Sequence, residues 1–383
     1  MIEKYKFPNS FLWGSSTAAY QVEGGIDNND WAQAARDGRV PAAGRACDHY
    51  NRYEEDFDIA KSLGQNAHRF SIEWSRVEPE EGRFDENEIE HYRKVLAALQ
   101  DRGLEPVVTL WHFTLPVWFA KMGGFENKKA PFYFARYCEH VVSQIGDRAK
   151  FWITINEPMV YVGFSYGSGV WPPFKKNFIK VWKVVDNLVM SHNIAYQKIK
   201  VISQAAQVGI AADQADYHYN DNPLSFCQAK FMNWFRNRRF INKIISKQDF
   251  IGLNFYLHKH FGYKFYEKKS DMGWPIYPPA IYHVLAELKK YNKPIYITEN
   301  GIADATDTKR AKYIKEHLHW VWQAVHDGCD VRGYFYWSLL DNFEWVHGFD
   351  PRFGIVEMNY DTLERTIRPS AYEYKRICEN NEI

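Results

Sequence analysis

Apolar positions along this chain fall into two alternating textures. Short runs rich in Val, Ile, Phe, Tyr and Trp read as buried β-strands at residues 11–18, 66–74, 106–112, 151–157, 208–213, 250–256, 295–299 and 331–338. Helix-compatible stretches lie between most of them, at 54–63, 86–102, 131–145, 178–203, 281–291 and 309–327. Strands separated by helices give βα units and a parallel sheet. Eight such units predict an α/β chain closed into a (β/α)8 TIM barrel, which needs about 250 residues plus loops. The 383 residues accommodate that. No linker, low-complexity tract or short repeat interrupts the pattern, and the double prolines at 172–173 and 278–279 read as loop stiffeners. One domain over 1–383 is therefore expected. The competing architecture is a doubly wound open sheet, but no glycine-rich phosphate loop of either common type follows any strand.

Charge and composition narrow the partners. Net charge is +1, so neither nucleic acid nor an anionic membrane surface is expected to bind. The basic run Arg236, Arg238, Arg239, Lys243 and Lys247 reads as a solvated helix face. No run of about 18 apolar residues is present to span a membrane. The five cysteines are odd in number, scattered and free of CxxC spacing, which argues against a zinc knuckle or a disulfide framework. No signal peptide is expected before Phe11, and the setting these features suggest is cytoplasmic. No metal or cofactor is expected either. The pairs His258/His260 and His317/His319 lack metal-ligand company along the chain and read as surface residues. Aromatic residues reach 17%, which suits a sugar-stacking cleft as well as an aromatic core.

The candidate chemistry sits where the strand-like runs end. Most finish in a polar or aromatic cluster: Arg69 with Glu73, His112, Asn156 with Glu157, Asn254 with Tyr256, Glu299, and Trp337. In a TIM barrel all C-terminal strand ends face one mouth, where reactions occur. Two of the runs end alike. Glu157 lies in Thr154-Ile155-Asn156-Glu157-Pro158 and Glu299 in Ile297-Thr298-Glu299-Asn300-Gly301. Brought together, two carboxyls are the apparatus of glycoside hydrolysis, one donating a proton and the other acting across the sugar. A nucleophilic carboxylate needs a cation and donors, which Arg69 and Tyr256 could supply. An acid needs a less polar site and a charged neighbour to hold its proton. Gln21 and His112 offer neutral donors and acceptors. The stretch from Tyr336 to Trp345 offers a stacking ring and a carboxylate for bidentate hydroxyl binding. Glu73 and Asp341 read as structural.

Several of these motifs together resemble glycoside hydrolase family 1, the β-glucosidase/β-galactosidase barrel. The likeness runs nearly end to end. It rests on Phe11-Leu12-Trp13-Gly14 with Ala19-Tyr20-Gln21-Val22-Glu23-Gly24, on Arg69-Phe70-Ser71-Ile72-Glu73-Trp74-Ser75-Arg76, and on His112-Phe113-Thr114-Leu115-Pro116. Asn156-Glu157-Pro158, Thr298-Glu299-Asn300-Gly301 and the stretch Trp337 to Trp345 complete it. The resemblance implies a retaining exo-β-glycosidase acting on a small β-glycoside or short oligosaccharide. It implies Glu157 as acid/base and Glu299 as nucleophile, with Arg69 and Tyr256 setting the charge of Glu299. Asn156 would bind the sugar 2-hydroxyl. Gln21, His112, Asn254, Glu344 and Trp345 would contact the remaining hydroxyls, with Trp337 as the stacking floor.

Glutamate rather than glutamine at 157 argues against the myrosinase branch. Glu344-Trp345 followed by Asp350-Pro351-Arg352-Phe353 argues against a 6-phosphoglycosidase. A non-catalytic glycan-binding barrel is the alternative from outside enzymology, and net transglycosylation is a variant within it. Members of the family are commonly longer than this chain. The stretches 215–248 and 257–272, after the fifth and sixth strands, look abbreviated and predict an open site with weak aglycone selectivity.

Overall fold

The computed structural model describes residues 5–263 and 268–383. Eight parallel strands close into a barrel in chain order: β1 Leu12–Ser16, β2 Ala67–Ser71, β3 Glu105–Thr109, β4 Phe151–Asn156, β5 Gln207–Tyr219, β6 Ile251–Phe261, β7 Ile295–Asn300 and β8 Val331–Trp337. β1 completes the closure by pairing with β8, from Leu12 opposite Gly333 to Ser16 opposite Trp337. The major helices fall where the pattern expects them, among them His49–Ser62, Glu86–Asp101, Ala130–Ile145, Phe178–Ile202, Pro279–Leu288 and Arg310–His326. Strands such as β2 and β4 are buried along their whole length, as parallel strands covered on both faces must be.

Three apolar layers build the barrel. Its lower interior is filled by Ala67, Val107, Phe151, Ile153, Ala211, Phe250, Tyr296 and Phe335. A far larger core fills the space between strands and helices. A third, small cluster of Ala18, Ala303, Trp337 and Phe353, with Tyr256, Met272 and Trp274 against it, lies at the C-terminal mouth. Gly301, just past the end of β7, shows how tightly this mouth is built. A Cβ there would stand 1.8 Å from the carbonyl oxygen of Trp337.

Two features depart from the sequence reading. β5 and β6 were expected to stop at residues 213 and 256, where polar residues begin. They continue as a parallel ladder from Ala215 opposite Leu257 to Tyr219 opposite Phe261. Tyr217, Tyr219 and Phe261 supply the aromatic β-formers that sustain pairing beyond the barrel rim. The β5–β6 connection also carries helices, Pro223–Met232 and Arg239–Ile244, so the 215–248 stretch is compact and largely helical. Part of the other abbreviated stretch, residues 264–267 of 257–272, lies outside the described residues.

Candidate active site

The strand ends converge as the barrel requires, and local irregularities aim their side chains. Pairing shifts register between Ile153 and Asn156 on β4, between Leu253 and Asn254 on β6, and between Ile297 and Asn300 on β7. Such bulges re-aim side chains beside active sites. Glu157 leaves β4 with φ 44°, and its N–H donates to the carbonyl of Ala211 at 2.7 Å. That left-handed backbone turns the carboxyl toward the barrel axis while Pro158 starts the next helix.

A cavity of about 340 Å³ opens at this mouth. Gln21, His112, Glu157, Tyr256, Glu299, Trp337, Glu344 and Trp345 all line it. A larger depression of about 770 Å³ lies at the opposite end of the barrel, beside Leu12, Asn66 and Pro106. Its carboxylates are Glu105 and Asp147 and it holds no comparable constellation; in a TIM barrel that face serves stability.

The two central carboxyls are held differently. Glu299 Oε1 receives Arg69 Nη1 at 2.5 Å, and its Oε2 receives the Tyr256 hydroxyl at 2.7 Å. Arg69 is itself fixed by Thr109 Oγ1 at 3.1 Å, the Thr298 carbonyl at 3.2 Å and Asn156 Oδ1 at 2.6 Å. Glu157 Oε1 receives only a neutral amide donor, Asn254 Nδ2, at 2.9 Å. Thr298 Oγ1 donates to Asn254 Oδ1 at 2.7 Å and so fixes which end of that amide faces Glu157.

These surroundings separate the proton affinities. Burial pushes Glu157 well above the usual carboxylate range, and the charges of Glu299 and Asp213 push it further. Burial also raises Glu299, but Arg69 and then Tyr256 oppose the rise. The two carboxyls titrate as a pair. The charge they share resides on Glu299, beside the guanidinium, and the proton on Glu157. Tyr256 remains a phenol, because burial and the neighbouring Glu299 charge raise it well above its ordinary value.

The rest of the wall is built for a polar guest with an apolar face. Three buried polar atoms of lining residues have no protein partner: Gln21 Oε1, His112 Nδ1 and Glu344 Oε2. Buried polar atoms are normally paired, so each is able to bond a ligand hydroxyl. Gln21 is oriented by donating Nε2 to Asn342 Oδ1 at 2.9 Å and to the Phe343 carbonyl at 2.8 Å. Burial and Arg69 keep His112 neutral. Its Nε2 accepts from Asn156 Nδ2 at 3.3 Å, which leaves the Nδ1 proton to donate. Burial and the Glu299 charge raise Glu344 to about 8. The ring of His112 lies nearly parallel to those of Trp337 and Trp345, at interplanar angles of 16° and 10°.

Asn156 and Asn254 stand behind this wall rather than on it. Their amides are engaged by Arg69, His112, Thr298, Glu157 and each other. Asp341 is bound by Arg368 at 2.9 Å, and Glu73 by Ser75 and Thr114, in keeping with structural roles.

Other lining residues were not singled out from sequence. Phe113, Val160, Phe164, Val170, Trp171 and Trp274 form an apolar outer wall. Asp213 and Arg236 enter as an ion pair at the edge of the cavity. Helical spacing among other cations predicts a solvated face for Arg236. Its side chain instead turns inward because the carboxylate of Asp213, at the end of the barrel section of β5, gives it a buried partner. One histidine of each pair read as surface residues is buried instead. His258 is buried against Asp216, and His317 is buried with Nδ1 near the Tyr313 carbonyl at 2.8 Å.

The family model described as glycosyl hydrolase family 1 matches residues 3–252 and 242–383. The two segments meet at the end of the β5–β6 connection. Beta-glucosidase A of Acetivibrio thermocellus is 34% identical, covering 99% of this chain and 100% of its own. That alignment spans 449 positions, more than this chain has residues, so the relative carries insertions. A solved β-glycosidase from Pyrococcus horikoshii is 39% identical with a TM-score of 0.94, covering 100% of this chain and 96% of its own. A β-glucosidase from Thermotoga maritima, solved with glucoimidazole, is 32% identical with a TM-score of 0.94, covering 99% and 100%. Among the described residues no helix is long and apolar enough to cross a membrane.

Proposed function

The chain belongs to glycosyl hydrolase family 1 and is a glycoside hydrolase, and from that premise we propose that it is a retaining exo-β-glycosidase. It would remove terminal non-reducing β-D-glycosyl residues, with β-glucosides foremost and β-galactosides and β-fucosides as further substrates. The observation that carries this reading is the division of labour inside one cavity. Glu299 is bound by the Arg69 guanidinium and the Tyr256 hydroxyl, Glu157 by a neutral amide, and three polar atoms without a protein partner lie on the same wall.

In the first step the sugar seats against Trp337, with its hydroxyls on Gln21, His112, Glu344 and the indole of Trp345. Glu299 attacks the anomeric carbon and forms a glycosyl ester. The bond to the leaving oxygen breaks as Glu157 delivers its proton there. Esterification removes the Glu299 charge that helps to raise Glu157, so the proton affinity of Glu157 falls. Glu157 then takes a proton from water, the water attacks the anomeric carbon, and Glu299 leaves as a carboxylate. Arg69 and Tyr256 stabilise Glu299 at both ends of the cycle, while Asn156 holds Arg69 and Asn254 holds Glu157.

Beyond the sugar the outer wall is apolar, which supports weak, largely hydrophobic selection of the aglycone. The sugar end is lined by the carboxyls of Glu157, Glu299 and Glu344, and the lining cation Arg236 is already paired with Asp213. That charge pattern disfavours a 6-phosphosugar. The test is initial rates on nitrophenyl β-glucoside, β-galactoside, β-fucoside, β-mannoside and 6-phospho-β-glucoside, with an α-glucoside control. Turnover of an unphosphorylated β-glycoside that is lost in Glu299→Gln, with β product by NMR, supports the proposal. An α product, or silence from folded protein, refutes it, and silence favours a binding barrel.

A further inference from the structure

β5 and β6 carry a second constellation that sugar chemistry does not use. Above the barrel mouth, Asp216 and His218 on β5, His258 and His260 on β6, and His283 on the helix Pro279–Leu288 meet. Asp216 Oδ2 lies 2.8 Å from His258 Nδ1, 3.0 Å from His218 Nε2 and 3.1 Å from His283 Nδ1. His218 Nε2 and His283 Nδ1 are 3.4 Å apart. The ligand atoms of Asp216, His218 and His258 all lie within 4.8 Å of one another. His260 Nε2 closes on His258 Nε2 from the other side.

The spacing suits a small ion. Metal bonds of 2.0–2.1 Å in a tetrahedron place neighbouring ligand atoms roughly 3.3 Å apart. Four of the six separations among Asp216 Oδ2, His218 Nε2, His258 Nδ1 and His283 Nδ1 lie at 2.8–3.4 Å and bracket that value. Imidazole with carboxylate is a borderline donor set that favours Zn²⁺, Co²⁺ or Ni²⁺ over the all-oxygen preference of Ca²⁺ and Mg²⁺. Asp216 and His258 are buried and preorganised, while the His218 and His283 side chains are 34% and 39% exposed and leave an entry path. Sequence spacing hid the cluster, because its ligands come from three segments and meet only through the extended β5–β6 ladder.

We propose that Asp216, His218 and His258, with His283 rotating into the fourth position, bind one divalent transition-metal ion of the zinc class. The ion pins β5, β6 and the Pro279–Leu288 helix together outside the catalytic cavity. The same strands supply Asp213, Tyr256 and Leu257 to the cavity wall, so the ion would brace that wall without touching the sugar.

The test uses the full-length protein, stripped with chelator and desalted, in a Cys227→Ser background that removes the exposed thiol. Zinc is titrated calorimetrically, bound metal is counted after desalting, and thermal unfolding is followed with and without zinc. One zinc per chain is expected, with a rise in Tm, and both should be lost in His218→Ala and in Asp216→Asn. Cobalt should give the visible absorption of a tetrahedral site in the parent and not in the variants. Substoichiometric zinc, or equal uptake by parent and variants, overturns the proposal and leaves an aspartate–histidine hydrogen-bond cluster with adventitious surface binding. If Asp216→Asn fails to fold, the partly exposed His218→Ala decides alone.

Discussion

Removing one hydroxyl from Tyr256 isolates how the cavity sets the charge of Glu299. Phenylalanine keeps the ring against Trp274 and Phe353, with centroids 5.5 and 6.3 Å away, so packing is preserved. It deletes the 2.7 Å bond to Glu299 Oε2. A hydrogen bond to a charged group contributes about 1.5–3 kcal/mol. One pKa unit corresponds to about 1.36 kcal/mol. If the whole contribution favours the carboxylate over the acid, the affinity of Glu299 for its proton rises by about one to two units.

The sign follows from the role. Glu299 attacks as an anion, and burial already raises it against the opposing pull of Arg69 and Tyr256. Losing one donor raises it further, so less enzyme is competent at a given acidic pH. The acidic limb of kcat/KM for a nitrophenyl β-glucoside should therefore move to higher pH by about one to two units in Tyr256→Phe. On that limb activity should fall by about 10- to 100-fold, while the plateau falls much less. A plateau that drops while the limb stays in place would refute this reasoning. It would mean that Arg69 alone fixes the ionisation and that the hydroxyl serves another purpose.

Other perturbations test separate parts of the site. Glu157→Gln should lower kcat/KM for poor leaving groups by about 10²–10⁴-fold, spare the first step for dinitrophenyl glycosides, and abolish the basic limb of the pH profile. Glu344→Gln should lower kcat/KM by about 10- to 100-fold while a pre-steady-state burst survives, because the change removes sugar binding rather than the nucleophile. Gly301→Ala should lower Tm, reflecting a loss of at least about 1–3 kcal/mol, since its Cβ would overlap the Trp337 carbonyl; thermal melts of parent and variant measure it.

Much of this was legible because a barrel is written in repeated local signals. Each strand announces itself by a buried apolar run, and closure places every run's end at one mouth whatever the intervening loops do. That is why Glu157 and Glu299, 142 positions apart in sequence, could be read as partners. Features made by convergence rather than by local pattern were not legible. The β5 extension alternates polar with apolar positions and the β6 extension is polar from His258 to His260, patterns unlike the continuous apolar runs that mark the barrel strands. His258 looked exposed because its burial comes from Asp216 and a distant helix. Asn156 and Asn254 sit at strand ends like the residues that line the cavity, yet the bulges beside them turn their amides behind it.

Arg236 is the sharpest such case, and it yields a prediction of opposite signs. At helical spacing among other cations it reads as solvent-facing, yet it pairs with Asp213 beside the acid. The Asp213 charge raises the proton affinity of Glu157, and that of Arg236 lowers it. Asp213→Asn leaves the cation unopposed, so Glu157 should lose its proton earlier and the basic limb of kcat/KM should move down by about one pH unit. Arg236→Gln leaves the carboxylate unopposed, so the same limb should move up by about as much. The double variant removes both fields and should return the limb toward its parent position. Circular dichroism would establish that each variant is folded, and the pH profiles would then be compared. Shifts of the same sign in both single variants would show that the pair acts on Glu157 through shape rather than charge, because no electrostatic argument can move the acid the same way when opposite charges are removed.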